Sequence, residues 1–217
     1  MAGSVWAVVV AAGAGTRFGE PKQFAVLGDR TVLAWAVGSA RGACDGVVLV
    51  VPAGGERSQP VISAGADIVV AGAATRSGSV RAGLGAVPDS AAVIVIHDAA
   101  RPLAAPELFA RAVGAIRAGA DGAVCAVPVT DTLKLVEGVT IVATVDRSTL
   151  VAVQTPQAFR AEALRAAHAG RPEATDDASV VEAGGGKVVI VAGDPRNLKL
   201  THASDLKVAA ALLHGTP

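Results

Sequence analysis

Six short apolar runs rich in valine and isoleucine recur along the chain: VWAVVV (5–10), GVVLVV (46–51), DIVV (67–70), AAVIVI (91–96), GAVCAV (122–127) and KVVIVA (187–192). They are continuous rather than alternating, as in strands covered on both faces. Between them lie helical patterns: RTVLAWAVGSA after Asp29, SVRAGLGAV after Gly78, PELFARAVGAIRA opening on Pro106, and SDLKVAAALLH near the end. Proline suits a first helical turn, because the N–H it lacks would have no partner inside the helix. Alternation of strand and helix predicts an α/β fold: a mostly parallel open twisted sheet flanked by helices, with right-handed crossovers. A length of 217 residues suits one domain, spanning 1–217, better than two.

One segment departs from that rhythm. From Thr130 to Val153, TDTLKLVEGVTIVATVDRSTLVAV has no helical period, mixes polar with apolar positions and carries Glu137-Gly138 where a hairpin would turn. It reads as a β-ribbon projecting from the sheet. Leu133, Leu135, Ile141 and Val145 lie on it, more apolar surface than a solitary ribbon can bury, so a partner surface is expected. A hairpin folded back on its own domain is the alternative.

Composition narrows the function classes. The formal charge is zero overall, which argues against a general nucleic-acid binder and leaves any anion site to local placement of Lys and Arg. Cys44 and Cys125 match neither a zinc spacing nor a disulfide framework and read as buried thiols. The run VWAVVVAAGAG is too short for a membrane span, and no basic residue precedes it as in a signal peptide. A soluble, cytoplasmic protein with no membrane partner is expected.

The first strand runs into AAGAGTRFGEPKQF, with glycines at 13, 15 and 19. This spacing is one residue longer than the dinucleotide fingerprint, no acidic residue closes the second strand, and no Gly-Lys-Ser/Thr ends the loop. What remains is a loop of small residues whose N–H groups approach an anion, with Arg17 and Lys22 supplying charge; a triphosphate is the expected occupant. The fourth strand runs into HDAARP, placing Asp98 and Arg101 beyond a carboxyl end, where open α/β sheets bind ligands. An Asp there can hold a metal or a sugar hydroxyl, and an Arg a phosphate or the loop itself; His97-Asp98 as a hydrogen-bonded structural pair stays open. TRSGSV, TVDR, TDDAS and NLKLT each admit a bland reading: Ser79 as a helix cap, Arg147 as a solvated charge, Thr175 and Asp176 as a helix start, Lys199 as an edge gatekeeper.

Taken together and in this order, AAGAGTRFGEPKQF, TRSGSV, HDAARP, PVTDTLK, TVDR, QTPQAF, TDDAS and NLKLT resemble the 2-C-methyl-D-erythritol 4-phosphate cytidylyltransferases, over residues 11 to 201. The resemblance implies a Rossmann-like nucleotidyltransferase fold and transfer of CMP from CTP to methylerythritol phosphate, with magnesium. It implies that Arg17, Lys22 and Lys199 are catalytic cations. Ala11, Ala12, Gly13, Gly15, Gly72, Ala73, Ser79 and Asp98 would bind CTP, Asp98 also being a possible metal ligand. Arg101, Thr132 and Arg147 would bind the acceptor, with Thr132 and Arg147 delivered by a β-arm, about 130–153, that interlocks a homodimer. Ala73 and Val10 depart from the Gly and Pro common in that family, Ala73 with a possible effect on base selectivity, and no fused second enzyme is expected after the last helix. A cytidylyltransferase for another polyol phosphate, such as ribitol 5-phosphate, would share most motifs; a non-catalytic nucleotide-binding module is the remaining alternative.

Overall fold

The computed structural model describes residues 3–13, 15, 18–19 and 21–214. Through them run β1 (Ser4–Val10), β2 (Val26–Leu27), β3 (Arg30–Thr31), α1 (Val32–Arg41), β4 (Gly46–Val51), α2 (Gln59–Ala64), β5 (Ile68–Ala71), α3 (Arg76–Ala86), β6 (Ala91–Asp98), α4 (Pro106–Arg117) and β7 (Gly122–Pro128). There follow β8 (Leu133–Glu137), β9 (Thr140–Val145), β10 (Val151–Arg160), α5 (Ala161–Ala169), α6 (Asp177–Ala183), β11 (Val188–Ala192) and α7 (Ala203–His214). All six apolar runs are strands of one sheet, in the order β11-β7-β10-β6-β1-β4-β5. Every neighbouring pair is parallel except those made by β10, which runs antiparallel to β6 and β7.

Why the runs are continuous is visible in how successive residues divide between the faces. Val5, Ala7 and Val9 of β1, with Val47, Leu49 and Val51 of β4, pack against α1, α2 and α4. Val8, Val48 and Val50 face the other way, onto Val80 and Leu84 of α3 and Leu164 of α5. Each such valine or leucine, fully removed from water, contributes about 1.5–3 kcal/mol. Polar residues at alternate positions would leave one layer of helices without a partner.

Strand order also fixes where a ligand can sit. From β1 the chain moves outward through β4 to β5, then returns by α3 to β6 on the other side of β1. The carboxyl ends of β1 and β6 therefore flank a topological switch point, where connecting loops part and leave a crevice.

Three features were not anticipated. The sequence pattern singles out neither α2 nor α5, six and nine residues long, whereas α6 begins where a helix start at Thr175 and Asp176 is expected, with Asp176 as its cap. β10 carries buried Gln154, Thr155 and Gln157, polar residues that interrupt any apolar run. The arm is also shorter than 130–153: β8 and β9 form a separate two-stranded sheet, while Val151–Val153 pair with Ala126–Pro128 of the main sheet. The hairpin turns at Gly138, whose φ of 59° suits glycine. Leu135, Val136, Val139, Ile141 and Val142 are exposed on it, at 56%, 53%, 102%, 60% and 45%. No helix among the described residues is long and apolar enough to cross a membrane.

Candidate active site

At the switch point lies a cavity of about 450 Å³. Its walls are the loop after β1 (Ala11, Ala12, Gly13), the start of α3 with its preceding turn (Ala73 to Arg76, and Ser79), the end of β6 (Asp98 to Ala100), and the lysines Lys22 and Lys199. Segments separated by more than half the chain thus meet in one place.

The β1 loop is held open by backbone pairing. The N–H of Ala11 continues the ladder to Val50 O at 2.8 Å, and buried Gln23 reaches back to Gly13 O at 3.5 Å. Gly15, at φ 68°, turns the chain so that its carbonyl accepts from the N–H groups of Phe18 and Gly19. Gly15 itself does not line the cavity, and Arg17 lies outside the described residues. Phe18 then packs with Leu27, Val32, Leu200 and Ala209 beneath α7. This cluster ties the segment bearing Lys22 to the segment bearing Lys199, and Lys22 Nζ donates to Leu200 O at 2.7 Å.

The opposite wall is the positive end of α3. Thr75 caps this 11-residue helix by accepting from Gly78 N at 3.0 Å. Ser79 is buried, and its Oγ accepts from Ala73 N at 3.0 Å while its hydrogen faces Thr75 O at 2.9 Å. Its hydroxyl therefore shapes the turn 73–75, and the cap is Thr75. Gly72 lies just behind the wall: a Cβ there would come within 2.3 Å of Ala12 Cβ, so the two loops approach closely because both are small.

Asp98 is the one carboxylate among the described lining residues. Its backbone N–H donates to Thr155 Oγ1 at 3.0 Å, Oδ2 lies 2.6 Å from Lys199 Nζ, and Oδ1 lies 3.5 Å from Arg76 Nη2. Burial opposes ionisation of Asp98, but Lys199 and Arg76 outweigh it and hold the carboxyl down at about 2. Arg76 also pairs with Asp177 at 2.9 Å. Burial disfavours its charge, yet Asp177 and Asp98 together raise its pKa above the ordinary value.

His97 does not pair with Asp98. Alternation along β6 sends it into the core, where it meets Thr155 Oγ1 at 3.2 Å and the Phe109 ring at 5.1 Å. Arg101 is not a lining residue; it donates to Asn197 O at 2.7 Å and Val153 O at 3.4 Å. It thus braces the loop that presents Lys199. Gln154 and Asn197, both buried, hold that loop to β10 through paired amide contacts. Thr132 and Arg147 sit at the base of the arm, exposed and away from this chain's cavity lining, with Arg147 donating to Thr130 O.

Neither Arg76 nor Asp177 stands out by sequence, although they fall inside TRSGSV and TDDAS. A signal existed: Arg76 opens a helix with no acidic residue in its first turn. A cation at the positive end of a helix needs a carboxylate from elsewhere.

The 2-C-methyl-D-erythritol 4-phosphate cytidylyltransferase family, IspD, matches residues 5–215. An enzyme of that name from Nocardia farcinica is 46% identical over 218 residues, covering 97% of this chain and 94% of its own. Another from Rhodococcus jostii is 46% identical over 217 residues, covering 97% of this chain and 96% of its own. The crystal structure of the enzyme from Thermus thermophilus superposes with a TM-score of 0.82 at 36% identity, covering 95% of this chain and 98% of that one. With cover this complete and identity this high, the chain belongs to the 2-C-methyl-D-erythritol 4-phosphate cytidylyltransferase family.

Proposed function

We propose that the cavity between the β1 loop and α3 is where this family's reaction takes place: CTP and 2-C-methyl-D-erythritol 4-phosphate give the 4-diphosphocytidyl derivative and pyrophosphate. An oxygen of the acceptor's phosphomonoester bonds to the α-phosphorus of CTP, and the bond from that phosphorus to the bridging oxygen of the departing pyrophosphate breaks. The acceptor phosphate brings up to about two negative charges to a nucleotide already heavily charged. Mutual repulsion is the main obstacle, so the protein needs cations and alignment rather than a nucleophile of its own.

The observation that carries this reading is convergence: Lys22, Lys199 and the positive end of α3 surround one cavity at the switch point. In this reading Lys22, with Arg17 from the same loop, neutralises charge growing on the phosphoryl oxygens. Lys199, whose side chain is 42% exposed beside Asp98, meets the acceptor phosphate. Ala12 and Gly13 offer backbone N–H groups to the triphosphate, while Ala11, whose N–H stays in the ladder to Val50, and the turn at Gly15 hold the loop in place. The turn 72–75, shaped by Ser79, offers backbone edges to the cytosine, and its close approach to Ala12 limits the size of the base.

A divalent metal fits in one form. Among the described residues no group of three His, Cys, Asp or Glu stands ready to hold an ion, and Asp98 is the single lining carboxylate. Magnesium commonly takes one or two carboxylates together with substrate phosphates and water. A magnesium ion would be held by Asp98 and the triphosphate, and would supply neutralisation of charge on the phosphates.

A homodimer completes the reading. The exposed apolar side chains of the arm are too many for a free ribbon, and Thr132 and Arg147 stand at its base, outside their own chain's cavity lining. An interlocked partner would bury the first and bring the second to the acceptor in its own site. The test is pyrophosphate release from CTP with methylerythritol phosphate and, separately, ribitol 5-phosphate. Release with the first alone is expected; release with ribitol phosphate alone overturns the acceptor. Lys22→Ala is expected to depress kcat far more than it raises KM for CTP, and an equal loss in both argues against its transition-state role.

A further inference from the structure

The cavity's charges continue into the protein as an alternating row. Lys199 Nζ meets Asp98 Oδ2 at 2.6 Å, Asp98 Oδ1 meets Arg76 Nη2 at 3.5 Å, and the same Nη2 meets Asp177 Oδ2 at 2.9 Å. Beyond it, Asp177 Oδ1 lies 3.1 Å from His168 Nε2. The row runs from the surface to the interior: the side chain of Lys199 is 42% exposed at one end and that of Asp177 1% at the other.

We propose that Arg76 is a positioning residue for cytidylyl transfer: anchored from behind by Asp177, it fixes the Oδ1 side of Asp98 so that Oδ2 faces Lys199 and the cavity.

Several observations carry this. Asp177 is the first residue of α6, whose cap Asp176 accepts from Ser179 N at 3.2 Å. The carboxylate is thus rooted in a helix start and removed from water, so its hold on Arg76 is the firmer one, as the shorter distance also shows. Burying such an anion without a cation is strongly destabilising, and Arg76 is the arginine that reaches it. Arg76 in turn sits where the dipole of α3 works against a cation, so local helix energetics do not explain its presence.

The consequence falls on Asp98. A carboxylate held at one oxygen only can turn about its terminal bond; held at both, it has one orientation. Lys199 is a flexible four-carbon arm expected to engage a phosphate as well, so it is a poor sole guide for Asp98. Arg76 is rigid at its planar head, its Nη2 is anchored on Asp177, and it keeps Asp98 aimed whatever Lys199 is doing. Arg101, the other nearby guanidinium, turns both terminal nitrogens to backbone carbonyls and does not substitute.

The inference rests on the reading that Asp98 acts on the CTP side of the site. Steady-state kinetics and melting temperature are to be measured for Arg76→Gln, Arg76→Lys, Asp98→Asn and the double variant Arg76→Gln/Asp98→Asn. A long charge-assisted contact lies at the low end of such bonds, so Arg76→Gln is expected to raise KM for CTP about tenfold. KM for the acceptor should stay within about twofold, because the nearest acceptor-side groups do not touch Arg76. Arg76→Lys keeps the charge but carries it on a shorter stem without the planar head, so its ammonium holds the two carboxylates less closely than Nη2 does, and should raise KM for CTP about threefold with melting near the parent's. The double variant should be no worse than Asp98→Asn alone, since Arg76 acts through Asp98.

Loss of thermal stability in Arg76→Gln with an unchanged KM for CTP would make the row a structural clasp between α3 and α6 and overturn the proposal. Effects that multiply in the double variant overturn it too, while leaving the role of Asp98 intact. Asp98→Asn at the parental KM for CTP sinks the assignment of Asp98, and the proposal with it. If Arg76→Gln yields no folded protein, Arg76→Lys decides by the same KM criterion.

Discussion

Replacing Gly72 with alanine puts the close approach of the two cavity loops under direct strain. The added Cβ would lie 2.3 Å from Ala12 Cβ, 3.0 Å from Ser79 Oγ and 3.3 Å from Val50 Cγ1. Carbon atoms in ordinary contact are about 3.5–4.0 Å apart, so the loops must part by more than about 1 Å. Neither is free to move. Gly72 N donates to Val51 O at 2.7 Å and Ala11 N to Val50 O at 2.8 Å, so separation costs a ladder bond or the Ser79 contacts that shape the turn 73–75.

Overpacking of this kind costs about 1–3 kcal/mol. For a chain of this length each kcal/mol moves Tm by about 2–4 °C, so Gly72→Ala should melt about 2–12 °C lower than the parent. KM for CTP should rise while KM for the acceptor does not, because the displaced wall is the one proposed to receive the nucleotide. Gly85→Ala is the control. Gly85 lies in α3, exposed, with nothing within 4 Å of an added Cβ, and there alanine should stabilise by about 0.5–1 kcal/mol. Thermal unfolding of both variants, with CTP titrations of initial rate, gives the comparison. A Gly72→Ala protein with the parent's melting temperature and KM would show that the loops are not in the tight register argued above.

Two further outcomes are expected. Burial first, and Arg101 second, push buried His97 down to about 4 against an opposing pull from Asp98. The unfolded chain takes up its proton near pH 6.5 and the folded one only near 4, so this contribution is complete above 6.5 and lost as pH falls through about 4, on the order of 3 kcal/mol in all. Urea midpoints should fall over that window in the parent and be flatter in His97→Gln; equal slopes refute the assignment. Leu135→Asp with Ile141→Asp places charge on the exposed arm and should convert a dimer to a monomer by light scattering, with loss of turnover. A dimer that survives the pair of charges has its interface elsewhere.

The sheet was legible because burial on both faces leaves a mark in one dimension: uninterrupted Val and Ile suit strands with helices on either side, as β1 and β4 are. β10 left no such mark. Two of its inner residues, Gln154 and Thr155, are polar because they serve loops: both hold Asn197, and Thr155 also receives Asp98 N–H. The cavity residues were named from a combination of motifs, since each taken singly fits a cap or a solvated charge. Arg101 shows the limit of that route, since its place in HDAARP does not tell a ligand contact from a brace on the loop of Lys199.

What brings the cations together is the apolar cluster beneath them rather than any attraction between them. Lys22 and Lys199 repel, yet Phe18 and Leu200, each buried close to one of these lysines, share a core with Leu27 and Ala209. Lys22 is further fixed on the carbonyl of Leu200, and Lys199 on Asp98. Hydrophobic burial thus supplies the free energy that holds like charges near one another, and the cavity keeps a positive field without having to wait for a substrate to gather it. Asp98, the carboxylate inside that field, is held from two sides, Lys199 and Arg76 each meeting one of its oxygens.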